Sequence, residues 1–246
     1  KKLADRVDEL AKVTWQAQLG SYLEKTRRVV ELVKELGGNQ HAQRAALLSK
    51  CDLTTDMVKE FTELQGVIGG LYARVQGEPE PVWRAIYDHY RPTSMEDKIP
   101  STPEGCLVSL ADKLDTLRGC FGIGLAPTGS KDPFGLRRAA QGVVRILVEA
   151  RLPLSMAALL GESSELKEFF LDRVRYYFRD VRGFKYDEVN AVVASGWDNL
   201  ADVADRLAAI QAVRPTENFE PLAASFKRIR NILKQAAFVR SGPVDP

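Results

Sequence analysis

STPEGCLVSLADKLDTLRGCF, residues Ser101 to Phe121, decides the fold class. Ser101 and Glu104 have the spacing of a capping box, and Pro103 suits a first helical turn. Leu107, Leu110, Ala111, Leu114, Leu117 and Phe121 then recur at helical intervals. Asp112 and Asp115 stand three apart on this helix, so both can face one groove.

Outward from this helix the same period recurs. Toward the N-terminus, Ser21 and Glu24 form a second capping-box pair, followed by Leu23, Thr26, Val29, Val30, Val33 and Leu36, with Gly37-Gly38 as the stop. Helices are expected over 41–49, from Thr54-Thr55 to Tyr72, and from Pro81 to Tyr90. Gly66, Gly69 and Gly70 cost the middle one about 1 kcal/mol each in propensity, which implies close approach by a neighbouring helix. Gly122 to Lys131 is a loop, and Asp132-Pro133 reads as a cap and first-turn proline opening a helix to Ala150. Further helices are expected over 165–179, 186–194, 198–213 and 221–239. No convincing strand alternation or fixed-period repeat is found. The expectation is an all-α chain: a helical domain over 1–151 and a smaller helical subdomain over 152–246, divided near Arg151-Leu152-Pro153.

Composition restricts the chemistry. The 246 residues carry 35 basic and 33 acidic side chains, so no global field draws the molecule to a polyanion. No apolar run reaches membrane-spanning length, and Lys1-Lys2-Leu3 is not a signal peptide. It lacks an initiator Met and begins in mid-pattern, so a piece of a longer protein is expected. Cys51, Cys106 and Cys120 lie within apolar helical patterns without a CxxC, which suggests buried thiols in a reducing, cytoplasmic compartment.

The densest polar set comprises Lys50, Cys51, Asp52, Glu60, Glu63, His89, Asp112 and Asp115. A helical protein with a late aspartate suggests a metal-dependent phosphohydrolase, which needs several imidazole and carboxylate ligands. The two histidines, His41 and His89, are followed by Ala42 and Tyr90, so no His-Asp pair exists. Caps and buried polar contacts are the alternative for Asp52, Asp112 and Asp115. Lys50 could lower the pKa of Cys51, although a cysteine among leucines usually belongs to a core. The glycines of 122–129 lack P-loop spacing and a preceding strand.

Charge clustering points to RNA. From Lys131 to Arg151 there are five basic residues (131, 137, 138, 145, 151) against two acidic ones (132, 149). The loop amides, Lys131 and the N-terminus of the following helix could bind one phosphate, with Arg137, Arg138 and Arg145 beyond. Lys227, Arg228, Arg230, Lys234 and Arg240 form a second cluster with no acid between them. A solvated helix face would explain either cluster alone.

Several of these segments also resemble the β subunit of bacterial-type, heterotetrameric glycyl-tRNA synthetase. The resemblance rests on Lys50 to Gly69, on Ala111-Asp112-Lys113-Leu114-Asp115-Thr116-Leu117 with Gly119 and Phe121 to Gly124, and on Pro127 to Phe134 with Leu136 to Ala140. Lys227 to Leu233 resembles the approach to that subunit's anticodon-binding domain, which would be truncated here. The resemblance implies an HD-like helical region, related to metal phosphohydrolases, whose ligands are lost. Ser49-Lys50-Cys51-Asp52 stands where the His-Asp pair would, Asp112 takes the late-aspartate position, His89 lies near an accessory position, and the first-helix histidine has no counterpart among Ser21 to Arg28. Lys50, Asp52, His89, Asp112 and Asp115 would then be a degenerate site with neither catalytic residue nor metal. It further implies a non-catalytic, tRNA-binding role in an α2β2 assembly, with ATP and Mg used by the α subunit and no cofactor here. Two rivals remain: a residual phosphohydrolase using Asp52, His89, Asp112 and Asp115, and internal pairing of Asp112, Lys113 and Asp115 with basic residues, including Arg137 or Arg138.

Overall fold

The computed structural model describes residues 1–217 and 219–235, with the side chains of 234 and 235 left aside. The fold is all-α apart from a small antiparallel ribbon, β1 (Thr14–Gln16) with β2 (Gly20–Ser21). The helices are α1 (Tyr22–Glu35), α2 (Gln40–Leu48), α3 (Asp56–Glu60), α4 (Val67–Val75), α5 (Glu80–Asp88), α6 (Pro103–Gly122), α7 (Leu136–Glu149), α8 (Met156–Leu160), α9 (Ser164–Tyr176), α10 (Tyr186–Ala194), α11 (Leu200–Val213) and α12 (Phe219–Gln235). Residues 236–239 of the expected last helix, and Arg240, lie outside the described residues.

The quoted stretch forms α6, the spine shared by two cores. Its Val108 and Ala111 pack with Leu10, Val33, Leu48, Ala85 and Ile86, from the N-terminal 3-10 helix, α1, α2 and α5. Its Leu110, Leu114, Leu117 and Phe121 pack with Val144, Phe170, Phe178, Val192 and Leu207 on the helices that follow. This second core, which includes α7, runs continuously across residue 151. A helix between two cores must be apolar almost all round, so polar residues kept inside it need partners.

Local signals explain most ends. Ser21 accepts from Glu24 N while Glu24 reaches back to the Ser21 amide, completing the expected box. Gly37, at φ 79°, follows α1 in a conformation that favours glycine. The expected helix over 165–179 is α9 continued by a π-helical turn, Tyr177–Val181.

Three starts differ from expectation, two of them because a distant side chain intervenes. The cap of α6 is Thr102, which accepts from Gly105 N at 3.1 Å. Ser101 instead donates its hydroxyl and amide to Asp88 Oδ2 at 2.6 and 3.0 Å, tying the end of α5 to the start of α6. The helix expected from Thr54 to Tyr72 breaks into a 3-10 turn (Cys51–Thr54), α3, another 3-10 turn (Thr62–Leu64) and α4. Asp52 Oδ2 accepts from the amides of Gly66 and Gly69 at 2.6 and 3.1 Å, capping α4 from outside its own segment. The glycines mark the expected close approach: a Cβ on Gly70 would lie 2.5 Å from Tyr87 Cβ. Finally, α7 begins at Leu136. Gly135, left-handed at φ 64°, separates it from Pro133, and Asp132 accepts from the Leu136 and Arg137 amides at 2.7 and 2.9 Å.

Candidate functional site: a lysine-filled polar centre beside an arginine-lined cavity

Between α1, α5 and α6 the fold buries a charged centre. Lys50, just past the end of α2, donates to His89 Nε2 at 3.0 Å and Asp112 Oδ2 at 3.0 Å. Its ammonium also lies 3.8 Å from the Tyr90 ring centroid. His89 donates from Nδ1 to the Ile86 carbonyl at 2.6 Å, which fixes the neutral tautomer and leaves Nε2 as the acceptor for Lys50. Burial, reinforced by Lys50, lowers the His89 pKa to about 3.

A second lysine closes the other side. Lys25 on α1 stands 3.1 Å from Asp112 Oδ1 and 3.0 Å from Asp115 Oδ2, and it donates to Thr116 Oγ1 at 2.8 Å. Arg28, one turn on, makes a two-pronged contact with Asp115 at 2.6 and 3.2 Å. Burial would push the Asp112 carboxyl up, but Lys25 and Lys50 outweigh it and hold the group well below the usual range. Asp112 and Asp115 therefore do share one side of α6, and both are neutralised there.

Of the five residues assigned to a degenerate site, Lys50, His89 and Asp112 are in direct contact, and Asp115 joins through Lys25. Asp52 turns away to cap α4, and burial raises its pKa against those amide hydrogen bonds. Among the described residues no three His, Cys, Asp or Glu side chains converge closely enough to hold a metal ion. The residues present do not fit one: the His89 lone pair and the Asp112 oxygens already face ammonium groups.

Internal pairing of Asp112 and Asp115 is therefore real, but its partners are Lys25, Arg28 and Lys50. Arg137 and Arg138 form no ion pair among the described residues. Lys113 donates to the carbonyls of Tyr90 and Arg91 at 3.1 and 3.0 Å and to Ser109 Oγ at 2.7 Å. Burial lowers its pKa to about 7. Cys51 is no nucleophile, because burial pushes its thiol up to about 12.

Neither Lys25 nor Arg28 is among the residues that the sequence singles out for this centre. The available signal was position: Lys25 lies one turn before Val29 on the stripe that α1 buries, where a lysine needs a partner.

The expected RNA-facing residues divide sharply. Lys131 and Arg138 are exposed, and Arg137 is half-buried, donating to the Gly129 carbonyl at 2.7 Å. Arg145 is only 6% exposed and fully engaged: it pairs with Glu149 at 2.7 Å and donates to the carbonyls of Ser94 and Met95, both at 3.0 Å. It is not available to a phosphate. Nor is the N-terminus of α7, whose leading amides are taken by the Asp132 carboxylate. Lys227, Arg228 and Arg230 are exposed on α12. A cavity beside α7 gathers Arg137, Arg138 and Arg173 at one mouth.

The fold and its centre define an all-α chain whose buried Asp112 and Asp115 carboxylates are matched by lysine and arginine side chains. A family model described as the glycyl-tRNA synthetase beta subunit matches residues 1–194. The glycine–tRNA ligase beta subunit of Acidobacterium capsulatum is 48% identical over 258 residues, covering 96% of this chain and 36% of that relative. The corresponding subunit of Ralstonia nicotianae is 44% identical over 265 residues, covering 100% and 38%. The chain belongs to the glycyl-tRNA synthetase beta subunit family. It spans little more than a third of the length of the curated relatives it matches. Among the described residues no helix is long and apolar enough to cross a membrane.

Proposed function

We propose that this chain is a non-catalytic, tRNA-binding and scaffolding region of a glycine–tRNA ligase. It holds the tRNA for glycine while a separate α subunit, using ATP and Mg, forms the ester, within an α2β2 assembly in the cytoplasm. The observation that carries the RNA reading is the convergence of Arg137, Arg138 and Arg173 on one mouth with no carboxylate partner among the described residues. Lys131 extends that surface, and Lys227, Arg228 and Arg230 add a second one. Guanidinium groups without carboxylate partners are suited to phosphate oxygens.

In this reading the polar centre is an HD-like frame that has exchanged its ligands for lysines. A residual phosphohydrolase is disfavoured because Lys25 and Lys50 put two positive charges where a divalent ion would have to bind. The test is charge reversal, Arg137→Glu with Arg138→Glu, in the full α/β complex. The KM for tRNA should rise while glycine adenylate formation stays unchanged; unaltered tRNA kinetics would remove these residues from the interface.

A further inference from the structure

The arginine-lined cavity encloses about 370 Å³ between α7, α9 and the loop from Pro92 to Met95. That is within the size range of small-ligand pockets, about 300–1,000 Å³. Part of its polar lining is left unsatisfied, although Arg137 and Arg145 are hydrogen-bonded within the fold. Arg138 and Arg173 have no hydrogen bond or ion pair among the described residues, and Arg173 Nε is buried without an acceptor. Gln141 is 6% exposed, and its Nε2 is likewise buried with no partner. Native structures rarely leave buried donors unmet, and each such group calls for a physical explanation, a bound partner among them. The donors here are cationic forks and one neutral amide, which together suit an anion carrying a polar group. The remaining lining is partly apolar: Tyr176, 41% exposed, with Met95 and Pro92.

Phosphate, aromatic stacking face and a free amide describe a nucleotide. A duplex keeps its bases stacked and paired, so only an unpaired one could enter. We propose that this cavity takes a single unpaired RNA nucleotide. Its phosphate lies against Arg138 and Arg173, its base stacks on Tyr176, and Gln141 reads the base edge. The inference rests on the RNA-binding reading above and narrows it to one subsite.

The experiment is fluorescence anisotropy of this chain with a labelled single-stranded RNA octamer and with a blunt duplex, over a range of salt. Tyr176→Ala should weaken single-strand binding about tenfold, leave duplex binding unchanged, and be rescued by Tyr176→Phe, which keeps the ring. Arg173→Met should reduce the slope of log K against log salt by about 0.7, the value for one phosphate on a single strand. Gln141→Leu should flatten differences between octamers of different base. Full single-strand affinity in Tyr176→Ala and Gln141→Leu would overturn the subsite, and if Arg137→Glu/Arg138→Glu still abolished binding, the broader RNA reading would stand. Failure of the unaltered chain to bind either RNA would remove both. If a nucleoside 5′-monophosphate bound with the same dependence on Tyr176 and Arg173, and the octamer did not displace it, the ligand would be a free nucleotide and the RNA assignment would fall.

Discussion

Replacing Lys50 by Met removes one charge from the buried centre while keeping most of the side chain's volume. Three contacts disappear: the 3.0 Å ion pair to Asp112, the 3.0 Å hydrogen bond to His89 Nε2 and the cation–π contact with the Tyr90 ring at 3.8 Å. Breaking a buried pair by deleting one partner costs about 3–5 kcal/mol. Asp112 would still have Lys25 at 3.1 Å, which places the expected loss at the lower end, about 3 kcal/mol. For a chain of this size, about 2–4 °C of melting temperature accompanies each kcal/mol, so Lys50→Met should melt about 6–12 °C lower. Circular dichroism or calorimetry on the chain measures this directly. The double variant Lys50→Met/Asp112→Leu should lose less than the two single variants summed, because it no longer strands a charge. A melting temperature within 1 °C of the parent, or strictly additive single losses, would refute the view that Lys50 and Asp112 form one structural unit.

Asp52→Ala should cost about 1–3 kcal/mol by stranding the Gly66 and Gly69 amides, whereas Asp52→Asn, which keeps an acceptor oxygen, should cost less; urea titration separates them. Gly70→Ala should destabilise by about 1–3 kcal/mol or more, because its Cβ would meet Tyr87 Cβ at 2.5 Å and Cα at 2.8 Å, and Tyr87→Ala, which keeps both atoms, should bring no relief. For His89 the unfolded pKa is 6.5 and the folded one about 3, so between those values the unfolded chain binds more protons. The His89 contribution to stability should therefore be constant above pH 6.5 and fall as pH drops through that window, with a limit of about 5 kcal/mol. Thermal melts from pH 7 to pH 4 should show a shallower slope in His89→Gln.

Where the chain's ends are set by neighbours in sequence, they were readable. The Ser21–Glu24 box and the Gly37 stop depend on residues within one or two turns, and α1 forms as its spacing implies. The starts of α4, α6 and α7 were not readable in the same way. Asp52 caps α4 from 14 residues before Gly66, and Asp88 draws Ser101 away from the cap it was expected to form. Asp132 was rightly seen as a capping residue, but Gly135 displaces the helix it caps. The polar centre followed the same division. Spacing alone put Asp112 and Asp115 on one face, whereas their pairing with Lys25 and Arg28 joins residues some 90 positions apart and appears only after folding. Basic clustering likewise located Arg137 and Arg138, but not Arg173, Gln141 or Tyr176, which α7 and α9 bring to the same cavity.

Burial, more than position along the chain, decides what each basic residue does here. Lys113 and Arg145 both lie inside the fold and spend their charges on backbone carbonyls of one loop, at Tyr90 and Arg91 in the first case and at Ser94 and Met95 in the second. Residues 92–95 of that loop line the cavity along with Tyr176. Lys50 and Lys25 hold α6 to the end of α2 and to α1, and α6 carries Lys113. The buried cations thus form a continuous support, from the lysine-filled centre through Lys113 and the loop to the cavity mouth. Of the exposed cations in the same cluster, Arg138 has no ion pair among the described residues, whereas Arg151 pairs with Asp205 at 2.7 Å. A metal ion could have held the centre equally well in electrostatic terms, but it would have required ligands deprotonated and left open for it. The ammonium groups of the Lys25 and Lys50 side chains supply the charge permanently, with no ion to bind or lose.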